Sequence, residues 1–274
     1  MFGKLEKSDI QQIEAYLENN FEETLYFQNV YEALKQNTMQ GTFYGYIQQG
    51  DLVGLFYFSN KNSLTVHYSD SVVLGNLSLL KAIKHHKPKY IKGEVSVIEG
   101  IYRVICRTLD SIHEDDSILM RYESNQKIED IKIPFEWISA ASGDVFQELK
   151  FFINVENQFG RNVKSINDIS KDLREMLKQK KYYLVRSNQG LIGQGLIEEE
   201  TSLIGIIGGI YVDPMYRKKG IGEAISLKLT QQLLEKEKTP YLFVMTNNKN
   251  AIHLYEKIGY KVSTPYRILT VRYQ

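Results

Sequence analysis

Leu203-Ile204-Gly205-Ile206-Ile207-Gly208-Gly209-Ile210-Tyr211-Val212 leads into Asp213-Pro214-Met215-Tyr216 and then Arg217-Lys218-Lys219-Gly220-Ile221-Gly222. An uncharged, largely apolar run of this length, closed by turn residues, reads as a central strand buried on both faces. Pro214 lacks an N–H, so ladder pairing stops there. Beyond the glycines, Ile225, Leu229 and Leu233 continue an apolar face begun by Ile221, and the glycines therefore open a helix. Strand, basic turn and helix in this order place the chain in the α/β class, as an α+β arrangement on a mixed sheet.

The first turn of a helix leaves several N–H groups without intrahelical partners, at the end where the helix dipole favours negative charge. Gly220 and Gly222 give an anion close access to those donors. Arg217, Lys218 and Lys219 add positive charge beside it, which suits a diphosphate. A purely structural reading stands alongside: a tight strand-to-helix connection with three solvated basic residues. The dinucleotide fingerprint places its glycines directly after the strand at another spacing, and the ATP loop ends in Gly-Lys-Ser/Thr; neither occurs here.

Downstream, the strand Tyr241 to Thr246 precedes Asn247-Asn248-Lys249-Asn250 and a helix with Ala251, Leu254, Tyr255 and Ile258 on one face. Gly259 is a natural cap for its end. With both segments in view, the chain resembles the GNAT superfamily of N-acetyltransferases. Arg217 to Gly222 matches the Arg/Gln-x-x-Gly-x-Gly/Ala motif of that family, and Asn248-x-x-Ala251 with Leu254-Tyr255-Glu256-Lys257-x-Gly259-Tyr260 matches its second motif. The resemblance covers about Phe135 to Gln274 and is strongest from Gly208 onward, where Gly209 to Pro214 resembles the fourth strand of the family.

The resemblance implies acetyl-CoA as co-substrate. Its pantetheine arm would pair with the backbone of Ile210, Tyr211 and Val212, and its diphosphate would lie among Arg217, Lys218, Lys219, Gly220, Ile221, Gly222 and Glu223, with Asn248 and Tyr255 nearby. It further implies direct attack of a neutral primary amine on the thioester, an N–H near Val212 for the oxyanion, and Tyr255 as acid for the departing thiolate. Tyr255 also lies on the apolar face of its helix and reads equally as a packed aromatic, while Asn248 reads as a helix cap. For the general base, Leu203 to Ile210 offers no titratable side chain. Glu156, on a helix expected beside the acceptor cleft, is the candidate, and a water chain is another option. Glu198, Glu199 and Glu200 fall near a hairpin end expected to be remote from the thioester and read as a solvated acidic turn. His253 faces away from its apolar stripe. His85 and His86 are adjacent and cannot share one metal from one helical face, so no metal site is expected.

A length of 274 residues favours two compact units. The polar stretch Glu123 to Asp130 sets the expected domains at 1–125 and 126–274. In the first half, Ser8 with Gln11 forms a capping box ahead of Ile10, Ile13, Tyr16 and Leu17, so the chain is expected to open with a helix. A second helix follows over Glu22 to Lys35. Thr42 to Gln48 and Leu52 to Ser59 flank the turn Gln49-Gly50-Asp51 as a hairpin. Strand Leu64 to Ser69, helix Asn76 to His86, strand Tyr90 to Val95 and helix Ser96 to Leu109 come next. The second half repeats this order. Val145, Leu149, Phe152 and Ile153 share one helical face, Ser165 and Asp168 cap a helix through Leu177, and Lys181 to Arg186 and Leu191 to Glu198 flank Asn188-Gln189-Gly190. The two hairpins look alike, a weak internal repeat that turn chemistry alone can also produce. The first half has Asp70-Ser71-Val72-Val73-Leu74-Gly75-Asn76 where the second has its basic glycine motif. The expected architecture is therefore tandem GNAT-like domains, the N-terminal one degenerate.

Composition excludes other classes. Hydrophobic residues at 43% and charged residues at 24% make an ordinary globular balance, so disorder is not the default. A net charge of +1 without long blocks of one sign points to neither nucleic acid nor membrane. Cys106 is the only cysteine and suits a reducing, cytoplasmic setting. Met1 to Ile10 lacks the apolar run of a secretory signal. The acceptor stays open between a small-molecule and a peptide amine, and the oligomeric state is open, a homodimer included. Two rivals remain: an aminoacyl transferase of the tandem type, whose members generally lack an intact diphosphate loop, and a catalytically silent CoA-binding regulatory module.

Overall fold

The computed structural model describes residues 1–124, 128, 133–138, 149–158, 165, 167–171, 174 and 182–274. Packing divides the chain into two compact units. One comprises Met1–Leu119, Val244–Asn248 and Val262–Gln274; the other comprises Met120–Phe243 and Lys249–Lys261.

In the first unit, strands β1 (Phe2–Lys4), β2 (Gly41–Gln48), β3 (Asp51–Ser59), β4 (Ser63–Tyr68), β5 (Tyr90–Glu94) and β6 (Leu109–Tyr122) combine with helices α1 (Ile10–Asn19), α2 (Gln28–Lys35), α3 (Leu77–His86) and α4 (Val95–Ile105). Strand order is β1-β2-β3-β4-β5, then the C-terminal strand Tyr260–Tyr273, then β6. Strands β4 and β5 pair in parallel, from Ser63↔Tyr90 to Thr65↔Lys92. Alternation along β3 serves two cores. Phe56 and Phe58 join Val66, Ile83, Ile98 and Ile101, whereas Leu55 and Tyr57 join Ile13, Leu17, Phe27 and Phe43.

The C-terminal strand pairs antiparallel with β5, Tyr266 opposite Glu94 and Thr270 opposite Tyr90. Arg267 holds it to β6 through two bonds to Asp116, at 2.6 and 2.8 Å. A cut of the sequence at 125/126 therefore parts residues 262–274 from the strand they pair with.

Several local expectations change. The chain opens with β1, paired to β2 at Phe2↔Tyr46, rather than with a helix. The Ser8–Gln11 box gives way to Glu6 and Asp9, where the Glu6 N–H donates to Asp9 Oδ2 at 2.7 Å. The helix expected over 22–35 is a 3-10 turn, Leu25–Phe27, followed by α2. Strand β6 was not foreseen: its first half is exposed and carries His113, Glu114, Asp115 and Asp116, which hides the period of two.

In the second unit, β7 (Glu136–Ile138), β8 (Tyr182–Ser187), β9 (Gly190–Glu200), β10 (Ile204–Val212) and β11 (Thr239–Met245) lie in the order β7-β8-β9-β10-β11. The predicted central strand is indeed interior to this row. One face carries α6 (Ile221–Leu234), whose Ile221, Ile225, Leu229 and Leu233 are all buried. Its backbone approaches closely because β9 is glycine-rich: a Cβ on Gly195 would lie 2.4 Å from Ile225 Cγ2. Leu229→Ala would open a cavity costing about 2–5 kcal/mol. The other face carries α5 (Leu149–Gln158), with Phe151 edge-on to Tyr211 at 5.5 Å and Phe152, Val155, Ile138 and Leu184 around them. Helix α7 (Lys249–Lys257) completes the unit. Val145 and much of the helix expected through Leu177 lie outside the described residues; Ser165 does cap residues 167–171, its Oγ accepting from the Asp168 N–H at 3.2 Å. No helix among the described residues is long and apolar enough to cross a membrane.

Candidate functional site

Strand β10 is irregular at the point where a site becomes available. Gly208 pairs with Leu196 and Tyr211 with Gln194, so Gly209 and Ile210 together oppose Gly195 in a β-bulge. Gly209 takes φ +57°, a left-handed conformation that glycine adopts without a Cβ penalty. The Gln194 side chain, 3% exposed, fastens the bulge: its Nε2 donates to the Gly209 carbonyl at 3.1 Å and its Oε1 accepts from the Tyr182 hydroxyl. On the opposite edge, the parallel ladder to β11 ends at Ile207↔Leu242. Ile210, Tyr211 and Val212 lie past that end. The Tyr211 side chain packs on Phe151, so only its backbone faces along the edge.

Past Val212 the chain makes a 3-10 turn, Pro214–Tyr216, with Asp213 Oδ1 accepting from the Met215 N–H at 2.9 Å. Arg217 Nε donates to the Val212 carbonyl at 3.0 Å and closes the turn, so this arginine has a local structural task. Lys219 Nζ lies 4.9 Å from the centre of the Tyr216 ring, a cation–π contact. Gly220, φ +76°, is the N-cap of α6 and brings no side chain to its donors. Its carbonyl accepts from the Ala224 N–H at 2.9 Å, which leaves the N–H groups of Ile221, Gly222 and Glu223 with no acceptor inside the helix. A Cβ on Gly220 would meet nothing within 4 Å, whereas one on Gly222 would be 3.7 Å from Leu254 and 3.8 Å from Val212. The hollow at the helix start is thus open above Gly220 and floored by α7 and the end of β10.

The corresponding helix of the first unit is built in the opposite way. Asn76 caps α3, its Oδ1 accepting from the Ser78 and Leu79 N–H groups at 2.9 and 3.3 Å, so the donors are consumed by the protein itself. The Tyr68 hydroxyl donates to the Val97 carbonyl at 3.2 Å and would lie 1.9 Å from a Cβ on Gly100, filling the gap between β4 and α4.

Tyr255 is half-buried on α7, its ring edge-on to Tyr260 at 6.0 Å. Burial, and after it the Glu198 carboxylate, push its hydroxyl up to about 12, so it holds its proton at neutral pH. Glu198 corrects the reading of the acidic run. It projects over Gly208, where a Cβ would fall 2.4–2.7 Å from its carboxyl atoms, on the face of β9 that also presents Gln194. Glu198 is therefore beside the end of the β10–β11 ladder and not remote from it. Glu200 does behave as a structural residue: burial opposes its ionisation, but hydrogen bonds from Lys236 and Lys238, both 2.8 Å, outweigh this and hold the carboxyl at about 2. Glu156 is half-buried on α5, one residue past Val155 in the Phe151–Tyr211 cluster. Glu223 is gripped by Lys257 Nζ through both carboxylate oxygens, at 2.7 and 2.8 Å. Asn248 is exposed, its N–H donating to the Met245 carbonyl at 2.9 Å, and it belongs to the first unit. His253 is exposed. Among the described residues, no group of three or more His, Cys, Asp or Glu is placed to hold a metal ion.

The helix start, the strand leading to it and Tyr255 lie in one unit, as the sequence leads one to expect. The placement of Glu198, the Gln194–Tyr182 fastening and the Lys257 ion pair were not expected. The alternation of Gln194, Leu196 and Glu198 was the available signal for the first two; nothing local marks Lys257.

Residues 185–268, which contain the bulge, the glycine turn, α6 and α7, match the family described as FR47-like protein. No curated protein matches the chain. Among solved structures, the GCN5-related N-acetyltransferase from Sphaerobacter thermophilus is 15% identical with a TM-score of 0.69, over 100% of this chain and 96% of that one. A GNAT-family acetyltransferase from Colwellia psychrerythraea is 12% identical with a TM-score of 0.56, over 100% of both chains. A tandem GNAT protein from the clavulanic acid biosynthesis pathway is 9% identical with a TM-score of 0.60, over 99% and 98%. The fold is that of the acyl-CoA N-acyltransferases, in tandem. The likeness to these structures is one of fold, and the segment that matches the FR47-like family carries the open helix start.

Proposed function

We propose that the protein is a cytoplasmic N-acetyltransferase that moves an acetyl group from acetyl-CoA to the primary amine of a small molecule or peptide by direct attack, and that residues 126–274 do the chemistry while residues 1–125 are a degenerate copy. The observation that carries this reading is the start of α6. Gly220 offers no cap, its left-handed backbone leaves the hollow open, and Lys218 and Lys219 flank it. Three convergent N–H donors fit a diphosphate, and the equivalent donors of α3 are already taken by Asn76.

Acetyl-CoA would supply an activated thioester carbonyl. The backbone of Ile210, Tyr211 and Val212 would pair with an extended arm, a reading supported by the end of the β11 ladder before them. The Val212 N–H would steady negative charge on the carbonyl oxygen. Tyr255, protonated over the whole neutral range, would give its proton to the leaving sulfur. Glu198 is favoured over Glu156 as the group that takes the amine proton, since its carboxyl overhangs Gly208 and its charge acts on Tyr255. Arg217 shapes the turn by its bond to Val212.

The test is release of free CoA thiol from acetyl-CoA with a panel of primary amines, beside calorimetry with acetyl-CoA alone. Turnover supports the reading. Tight binding with no turnover on any amine supports the silent regulatory module instead, and absence of binding rejects the site.

A further inference from the structure

Glu223 occupies the third residue of α6, counting Ile221 as the first. From that position a glutamate ordinarily folds back and accepts from the N-cap N–H, half of a capping box. Here it does not. The helix start has no side-chain cap, and both Glu223 oxygens are instead held by Lys257 Nζ, at 2.8 and 2.7 Å, from the last turn of α7. Lys257 is 60% exposed while Glu223 is 22% exposed, so the lysine reaches inward from solvent to fix a carboxylate lying beside the donors.

We propose that Lys257 is a positioning residue that draws the Glu223 carboxylate away from the start of α6 and so keeps the N–H groups of that turn available to the diphosphate of CoA. The inference rests on the cofactor reading above and adds to it a function for the ion pair. Without Lys257, the Glu223 carboxylate is released to fold back on the helix start from its capping-box position, and the site caps itself with its own side chain, as α3 is capped by Asn76. A self-capped helix start must be uncapped before an anion enters, and apparent affinity falls by the fraction of molecules still open. The carboxylate also repels the incoming diphosphate when its counter-charge is gone.

Isothermal titration with CoA tests this and needs no acceptor. Lys257→Met is expected to weaken CoA binding about tenfold, the change produced when about nine molecules in ten are self-capped. Glu223→Ala/Lys257→Met is expected to return affinity to within about threefold of the unaltered protein, about 0.7 kcal/mol, because alanine offers neither an acceptor to cap the helix start nor a charge to place against the diphosphate. Lys257→Arg, which preserves the pairing, is expected to bind normally and guards against a general loss of folding; circular dichroism on each variant completes that control. If the unaltered protein binds CoA and Lys257→Met binds it equally well, the positioning role is overturned while the cofactor site stands. If the double variant stays as weak as Lys257→Met, the lysine acts by touching the ligand directly and the proposal is again overturned. If the unaltered protein gives no heat with CoA, the cofactor reading fails and takes this one with it.

Discussion

Replacing Gly220 by glutamate places a carboxylate at the mouth of the hollow over α6. Two costs follow, and the structure separates them. The first is conformational. Gly220 has φ +76°, where a residue with a Cβ is strained by about 1–2 kcal/mol. Because that Cβ meets no protein atom within 4 Å, no packing term is added, and Gly220→Ala, Gly220→Gln and Gly220→Glu should lose similar stability. The second cost appears only with ligand. A unit charge about 4 Å from a phosphate charge is opposed by about 1 kcal/mol in bulk water and about 4 kcal/mol at an effective dielectric of 20. Affinity for acetyl-CoA should therefore fall between about fivefold and about a thousandfold from Gly220→Gln to Gly220→Glu. Raising the salt should narrow that gap, since an exposed charge is screened. Calorimetry with acetyl-CoA at two ionic strengths, with thermal melts of all four proteins, gives both numbers. A folded Gly220→Glu protein that binds acetyl-CoA as tightly as the unaltered one would refute the placement of the diphosphate.

Tyr255→Phe removes one hydroxyl and little volume; turnover should drop by about 10- to 100-fold with near-normal acetyl-CoA affinity, and an unchanged rate returns Tyr255 to packing. Glu198→Gln should lower kcat/KM, flatten its acidic limb and let the Tyr255 hydroxyl titrate at lower pH, because a carboxylate that helps hold it near 12 is gone; a pH profile identical to that of the unaltered enzyme would exclude Glu198 as base. His67, buried on β4 with its Nδ1 2.7 Å from the Tyr16 hydroxyl, is pushed down to about 4 by burial, partly offset by Glu94. Its folded pKa lies below the unfolded value of 6.5, so the unfolded chain binds the extra proton first. Stability is then full above pH 6.5 and declines as pH falls toward 4, by up to about 3 kcal/mol at 1.36 kcal/mol per pH unit. Urea unfolding at pH 7 and 4.5 should show a smaller decline in His67→Gln, and an equal decline would remove His67 as the cause.

Much of the site was legible because its parts are local. Gly220 and Gly222 announce an uncapped helix start through their lack of side chains, the run Ile204–Val212 announces an interior strand, and the Gln49-Gly50 and Gln189-Gly190 turns announce hairpins, realised with φ +98° at Gly50 and +118° at Gly190. Periods of 2 and 3.6 residues and the sign of φ are properties of short segments, so a sequence displays them directly. The acetyltransferase resemblance rested on the same local features.

Tertiary structure alone decided which distant side chains meet. Glu198 looked like solvated acid in a hairpin, and came to overhang Gly208 only when β9 registered against β10 across a bulge that no periodicity encodes. Glu223 and Lys257 are 34 residues apart, each ordinary on its own helix, and meet because α7 packs beside the start of α6. Residues 262–274 follow the second motif in sequence yet pair with β5 of the first unit, since a strand joins whichever edge offers matching hydrogen bonds, and chain order carries no information about that edge.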